Sequence, residues 1–124
     1  MKTKAKPRET EAGFLRAVLE AAKLQGWRTA HFRPAKTAKG WRTAVQGDGT
    51  GWPDLVLCRP PRLIFAELKT DTGKLTEEQE IWLDKLRSCI GHDFIEAVVW
   101  RPRDWPEIER TLARALPADL EASK

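Results

Sequence analysis

Two β-prone runs, residues 54–58 and 63–69, are separated by only Arg59-Pro60-Pro61-Arg62. A connection that short turns the chain straight back, so the two runs can pair only as an antiparallel hairpin. Helical patterns stand before and after the hairpin, and a further β-prone run follows. A strand that returns after a helix must join the same sheet, which predicts a mixed sheet covered by helices, an α/β fold.

The first helical pattern covers residues 10–25, where Phe14, Leu15, Val18, Leu19 and Ala22 recur at three- and four-residue spacing and form one apolar stripe. Thr10 is placed to cap its start and Gly26 to take the turn past its end. Residues 27–33 then alternate as a strand does. Residues 34–52 hold four glycines and three basic side chains with no sustained period, and a structureless stretch of that length inside a compact domain is usually functional or mobile. After the hairpin, Thr76-Glu77-Glu78-Gln79 has the form of a capping box and opens a helix that stops at Gly91. Residues 94–100 read as a buried strand. Asp104-Trp105-Pro106-Glu107 then opens a last amphipathic helix through Leu116, with Pro106 in the first turn where its missing N–H costs least. The expected order is αβββαβα.

The 124 residues suffice for one core. The division expected is a basic arm over residues 1–8, one domain over 9–117 and a short tail over 118–124. With 41% hydrophobic residues and 32% charged, wholesale disorder is excluded. No apolar run approaches the length of a membrane span, and the basic start is followed by no apolar segment of a signal peptide. Cys58 and Cys89 are far apart and form no zinc-binding pattern, so a reducing cytoplasm is the expected setting. Charge is uneven. Residues 1–42 carry eleven Lys and Arg against three Glu, a net +8, whereas residues 43–124 carry eleven against fifteen acids, a net −4. A basic first third points to a polyanionic partner, nucleic acid before others.

The chemistry-bearing residues lie on the hairpin. Asp54 opens one strand and Glu67 lies near the end of the other, so antiparallel pairing brings the two carboxylates together. Glu67 and Lys69 are two apart and share a face. Two carboxylates, with the backbone carbonyl of Leu68 as a further oxygen, suit Mg²⁺ or Mn²⁺, and a lysine beside them can polarise an attacking water or stabilise charge growing on phosphorus. By spacing alone Glu67 and Lys69 also fit an ordinary solvated pair, and Asp54 fits turn chemistry after Pro53. The context favours the site, because Leu55-Val56-Leu57 and Leu63-Ile64-Phe65-Ala66 surround the acids, and a buried carboxylate is costly unless a cation compensates it.

Gly51-Trp52-Pro53-Asp54, Glu67-Leu68-Lys69 and the helical Gln79 resemble the VRR-NUC (virus-type replication-repair nuclease) branch of the PD-(D/E)xK nuclease superfamily. The resemblance runs from Glu11 to about Leu116, and it implies a restriction-endonuclease-like core and a metal-dependent phosphodiesterase acting on DNA. It implies Asp54 and Glu67 as metal ligands and Lys69 as the catalytic lysine. Gln79 matches the family's glutamine, and Glu11 the acid often carried on the first helix, reaching the metal directly or through water. Glu9 and Glu20 share that helix; Glu11 is preferred because it lies one turn before Leu15, beside the buried stripe. Charge near a helix N-terminus is its other reading, and the capping box is that of Gln79.

Lys36, Lys39 and Arg42 are the phosphate-contact candidates, with Lys2, Lys4 and Lys6 of the arm behind them; a merely solvated basic loop is the other reading. Trp41 and Trp52 bracket the basic loop and are candidates to stack on unpaired bases. Trp27, Trp82, Trp100 and Trp105 read as packing residues, Asp48 as a turn residue, and His31 and His92 as structural. The leading expectation is an endonuclease of branched DNA, resembling a Holliday junction resolvase. It would be a homodimer whose interface draws on the apolar residues of the last helix. A monomeric flap or single-strand endonuclease, and a non-catalytic DNA-binding accessory protein, are the alternatives. The resemblance, in a chain of this small format, implies a bacterial or phage-infected cell.

Overall fold

A computed structural model describes residues 10–32, 35–38, 40–42, 46–89 and 94–114. Helix α1 spans Glu11–Leu24 and is followed by strand β1, Arg28–His31. Strands β2, Ala35–Thr37, and β3, Gly40–Arg42, precede β4, Leu55–Arg59, and β5, Arg62–Leu68. Helix α2, Glu77–Arg87, leads to β6, Ile95–Trp100; a 3-10 turn, Pro102–Asp104, then opens helix α3, Trp105–Ala113.

The main sheet has the order β1-β4-β5-β6. Its first three strands are antiparallel, and β6 runs parallel to β5 with Leu63 opposite Ile95 and Leu68 opposite Trp100. The expected αβββαβα order and mixed sheet are both present. One element was not foreseen. Within the segment expected to lack regular structure, β2 and β3 pair as a separate two-stranded sheet, Ala35 opposite Arg42 and Thr37 opposite Gly40. These strands are three residues each, too short for a period of two to register in sequence.

Alternation along β5 sorts the layers. Ile64, Ala66 and Leu68 face a core built with Leu55 and Leu57 of β4, Phe14, Val18 and Ala22 of α1, and Ile108 and Leu112 of α3. Phe65 and Glu67 face the opposite way, toward α2. Helices therefore cover both faces, as binary patterning demands of a sheet whose central strands are apolar throughout. Ile108 and Leu112 are fully buried within their own chain, so these two side chains of α3 are spent on the core. Leu116, also part of the expected last helix, lies outside the described residues.

The helix ends agree with capping rules. Thr10 Oγ1 accepts from the Gly13 amide at 3.0 Å, and Gly26 takes a positive φ of 82° after α1. Helix α2 ends at Arg87, capped by Ser88, and α3 ends at Ala113, capped by Arg114. Both helices thus end sooner than the expected Gly91 and Leu116, which, like Arg33 and His92, lie outside the described residues.

Beyond the turning role read in sequence, the Arg59–Arg62 turn holds α3. Arg59 and Arg62 place their guanidinium groups 4.7 and 4.8 Å from the Trp27 ring. Arg59 and the Trp27 indole N–H both donate to the Leu112 carbonyl, and Arg62 donates to that of Thr111. Carbonyls that end a helix have no intrahelical donor, so these side chains satisfy the last turn of α3. Burial, then the adjacent Arg62 charge, lowers the pKa of Arg59. Arg62, only 3% exposed, is paired with Glu96 at 2.8 Å.

Candidate active site

The site forms where β4 begins and β5 ends. Leu55 stands opposite Ala66, and one further step along the same register sets Asp54 against Glu67. Asp54 is held from both sides. Its carbonyl accepts from the Phe32 amide at 2.8 Å, and its Oδ2 accepts from the Leu68 amide at 3.0 Å. The N–H and C=O of a strand residue point to the same side, so the Leu68 carbonyl faces the Asp54 side as well.

Glu67 is 2% exposed. Its Oε2 accepts from Gln79 Nε2 at 3.0 Å and lies 3.8 Å from Lys69 Nζ. Its Oε1 is buried with no hydrogen-bond partner. Burial, reinforced by the Asp54 charge beside it, pushes the Glu67 carboxyl up to about 9. A buried acceptor left without a donor carries a desolvation cost, and a bound cation is one way to remove it. The donor set is all oxygen: the Asp54 and Glu67 carboxylates with the Leu68 carbonyl on the same side. Hard divalent cations such as Mg²⁺ prefer such ligands, so the residues fit the metal that the resemblance implies.

Gln79 satisfies both of its expected roles with the two ends of one amide. Its Oε1 accepts from the Thr76 amide at 2.9 Å while Thr76 Oγ1 accepts from the Gln79 amide at 3.2 Å, completing the capping box. That bond fixes which way the amide points and leaves Nε2 to reach Glu67. The helix start is itself positioned by Gly51. A β-carbon at Gly51 would lie 2.5 Å from the Glu78 carbonyl carbon, and the residue has a φ of +86°, so glycine is demanded by space and by backbone together. Pro53, fully buried, follows in the same loop.

Asp54, Glu67, Lys69 and Gln79 are thus brought to one place. Glu11 sits in the first turn of α1 and is exposed, and no group of three or more acidic, His or Cys side chains suited to a metal occurs among the described residues. Lys36 lies on β2, and Trp41 and Arg42 on β3, where the backbone is described. Lys2, Lys4, Lys6 and Lys39 fall outside the described residues. Asp48 occupies a turn, as expected, and its carbonyl accepts from the Trp82 indole N–H at 2.8 Å.

Trp52 is held within an aromatic cluster. Its ring meets Phe32, Phe65 and Trp82 edge-to-face, with centroids 6.4, 5.5 and 4.9 Å away. Sequence reasoning passed over Phe32 and treated Trp82 only as packing. The signal available was that both flank the acidic residues, Phe32 at the end of β1 and Trp82 one helical turn beyond Gln79.

No curated protein matches this chain. The family profile described as the VRR-NUC domain matches residues 6–100, which include every one of the four assembled side chains and most of the chain. The protein belongs to the VRR-NUC family of nucleases.

Proposed function

We propose that the protein is a Mg²⁺- or Mn²⁺-dependent endodeoxyribonuclease acting on branched DNA, working as a homodimer in the manner of a Holliday junction resolvase in a bacterial or phage-infected cytoplasm. The observation that carries the chemistry is the buried Glu67 carboxyl, with one oxygen unpartnered, set against Asp54 and within 3.8 Å of Lys69. Asp54, Glu67 and the Leu68 carbonyl are the groups to hold the ion. When bound, it supplies positive charge at the scissile phosphate and lowers the pKa of water.

The remaining work falls to the chain. Lys69 orients the attacking water and stabilises the negative charge that develops on the phosphate oxygens. Gln79, by fixing Glu67 Oε2, presents Oε1 outward from its amide. The water oxygen bonds to phosphorus and gives up a proton to solvent as the bond to the 3′ oxygen breaks; the leaving oxygen takes a proton from solvent, giving a 5′ phosphate and a 3′ hydroxyl. Paired subunits serve the branched substrate because symmetric cutting of a four-way junction needs two centres.

The test is cleavage of an end-labelled panel of four-way junction, flap, single strand and duplex with Mg²⁺ or Mn²⁺, beside EDTA and Lys69→Ala. The expected result is metal-dependent cutting of the junction, lost with either control. Preference for flap or single strand would replace the resolvase reading with the flap-nuclease one. Metal-indifferent DNA binding by folded protein that cuts nothing would leave an accessory DNA-binding role.

A further inference from the structure

An open groove of about 470 Å³ is lined by Phe32, Gln46, Asp48, Gly49, Trp52 and Trp82. Three of its six lining residues are aromatic, on a surface where Phe32 remains 38% exposed. Its connections to the site are short. The Phe32 amide bonds the Asp54 carbonyl; Trp52 packs on Phe65, two residues and therefore about 7 Å along β5 from Glu67 and on the same face; Trp82 lies one turn beyond Gln79.

The walls are held in place. Trp82 is tied through its indole N–H to the Asp48 carbonyl, and it and Phe32 both meet Trp52 close to perpendicular, at 86° and 88°. The Gly49 carbonyl accepts from the Trp52 amide at 3.1 Å, and Gly51 packs against the first turn of α2. Fixed aromatic side chains are what a planar, uncharged ring system stacks on. The polar lining selects further. The side chains of Gln46 and Asp48 form no hydrogen bond with another described residue; the Asp48 carboxylate repels a phosphate but accepts from an exocyclic amine.

The geometry points to this groove as a subsite for one unstacked nucleobase, adenine or cytosine before thymine, next to the scissile phosphate. The inference rests on the nuclease reading and adds to it the form of the substrate: a strand whose base leaves its stack at the branch. Base–aromatic stacking supplies binding at such a position without needing a duplex, and a base already loosened at a branch point is the least costly to extract.

The test uses the full chain in EDTA with a four-way junction and a flap, each carrying the fluorescent adenine analogue 2-aminopurine at successive positions around the branch. A dye at a distant end reports overall binding by anisotropy, and Mg²⁺ is added afterwards to locate the cut. The expected result is quenching at one position beside the cleaved bond. Phe32→Ala and Trp82→Leu each lose that quenching and weaken branched-DNA binding about tenfold, whereas Trp82→Phe retains the quenching. Asp48→Asn, at an exposed turn, retains the fold and reduces the preference for amine-bearing bases. Thermal melts confirm that each variant is folded. Cleavage by the wild type without position-specific quenching, or equal quenching in folded Phe32→Ala and Trp82→Leu, overturns the base subsite and leaves the nuclease standing. Neither binding nor cleavage by folded wild type overturns both.

Discussion

At the scale of single residues, Glu67 stores a tension that the metal-free protein reveals through pH. Its carboxyl rises from the usual 4.5 to about 9 on folding, because burial and the Asp54 charge disfavour the ionised form. The folded state thus holds this proton more tightly than the unfolded chain. The contribution of Glu67 to stability is complete below about pH 4.5 and is lost as pH rises toward 9. Glu67→Gln keeps the shape and stays neutral, so it removes that loss. Thermal melts in EDTA should show Glu67→Gln raising Tm by at least about 3 °C at pH 8.5 and by much less at pH 5. Equal shifts at the two pH values would contradict the origin assigned to the tension. The same variant is expected to abolish cleavage, since it lacks the charge a cation needs.

Gly51 poses the opposite case, a residue defined by what it lacks. Gly51→Ala sets a methyl 2.5 Å from the Glu78 backbone at a positive φ. The left-handed conformation alone costs roughly 1–3 kcal/mol, and the clash adds displacement of the α2 start. Urea unfolding should show a loss of at least about 2 kcal/mol, with cleavage reduced more steeply than stability because Gln79 moves with the helix.

Among the elements, α2 couples helix capping to the site through one side chain. Thr76→Ala removes half of the capping box and should cost about 1 kcal/mol in stability. Gln79→Glu is the sharper probe, because glutamate also serves at the third position of a capping box but turns a carboxylate toward Glu67 where an amide N–H now donates. Gln79→Glu is expected to melt within about 3 °C of wild type at pH 6 while losing at least tenfold in cleavage. A loss of melting temperature equal to that of Thr76→Ala would instead assign Gln79 to the helix alone. The capping box, the hairpin and the Asp54–Glu67 juxtaposition were all legible in sequence, because turn length, strand alternation and cap spacing are local rules. The dual use of Gln79 was visible only as two competing readings, since spacing cannot say where each end of an amide points. Phe32 and Trp82 were harder still. Their meeting at Trp52 joins β1, a loop and α2, three segments whose contact depends on the tertiary path and leaves no periodic trace.

For the whole molecule, the matched family segment and the folding unit do not end together. The profile closes at residue 100, yet Ile108 and Leu112 beyond it are completely buried against α1 and the sheet. Full burial of two such side chains contributes about 1.5–3 kcal/mol each. To that must be added the bonds by which Trp27, Arg59 and Arg62 hold the end of α3. In a chain of this length total stability is expected to be only about 5–15 kcal/mol, so losing α3 removes a large fraction of it. It also opens the Phe14, Val18 and Ala22 face of α1 to water and removes the carbonyls at the end of α3 to which Arg59 and Arg62 donate. A chain truncated after Trp100, which retains Asp54, Glu67, Lys69 and Gln79, should therefore show an unfolded circular dichroism spectrum, no cooperative melt and no cleavage. Cooperative unfolding of that fragment would make α3 an appendage to a self-sufficient nuclease core. Arg62→Met in the full chain separates packing from polar bonding: it retains much of the contact with Trp27 but takes the guanidinium donor from the Thr111 carbonyl and leaves Glu96 paired with Arg114 alone. A loss of about 2–4 kcal/mol by urea unfolding, with the metal dependence of cleavage unchanged, is the expected signature of a support remote from the chemistry.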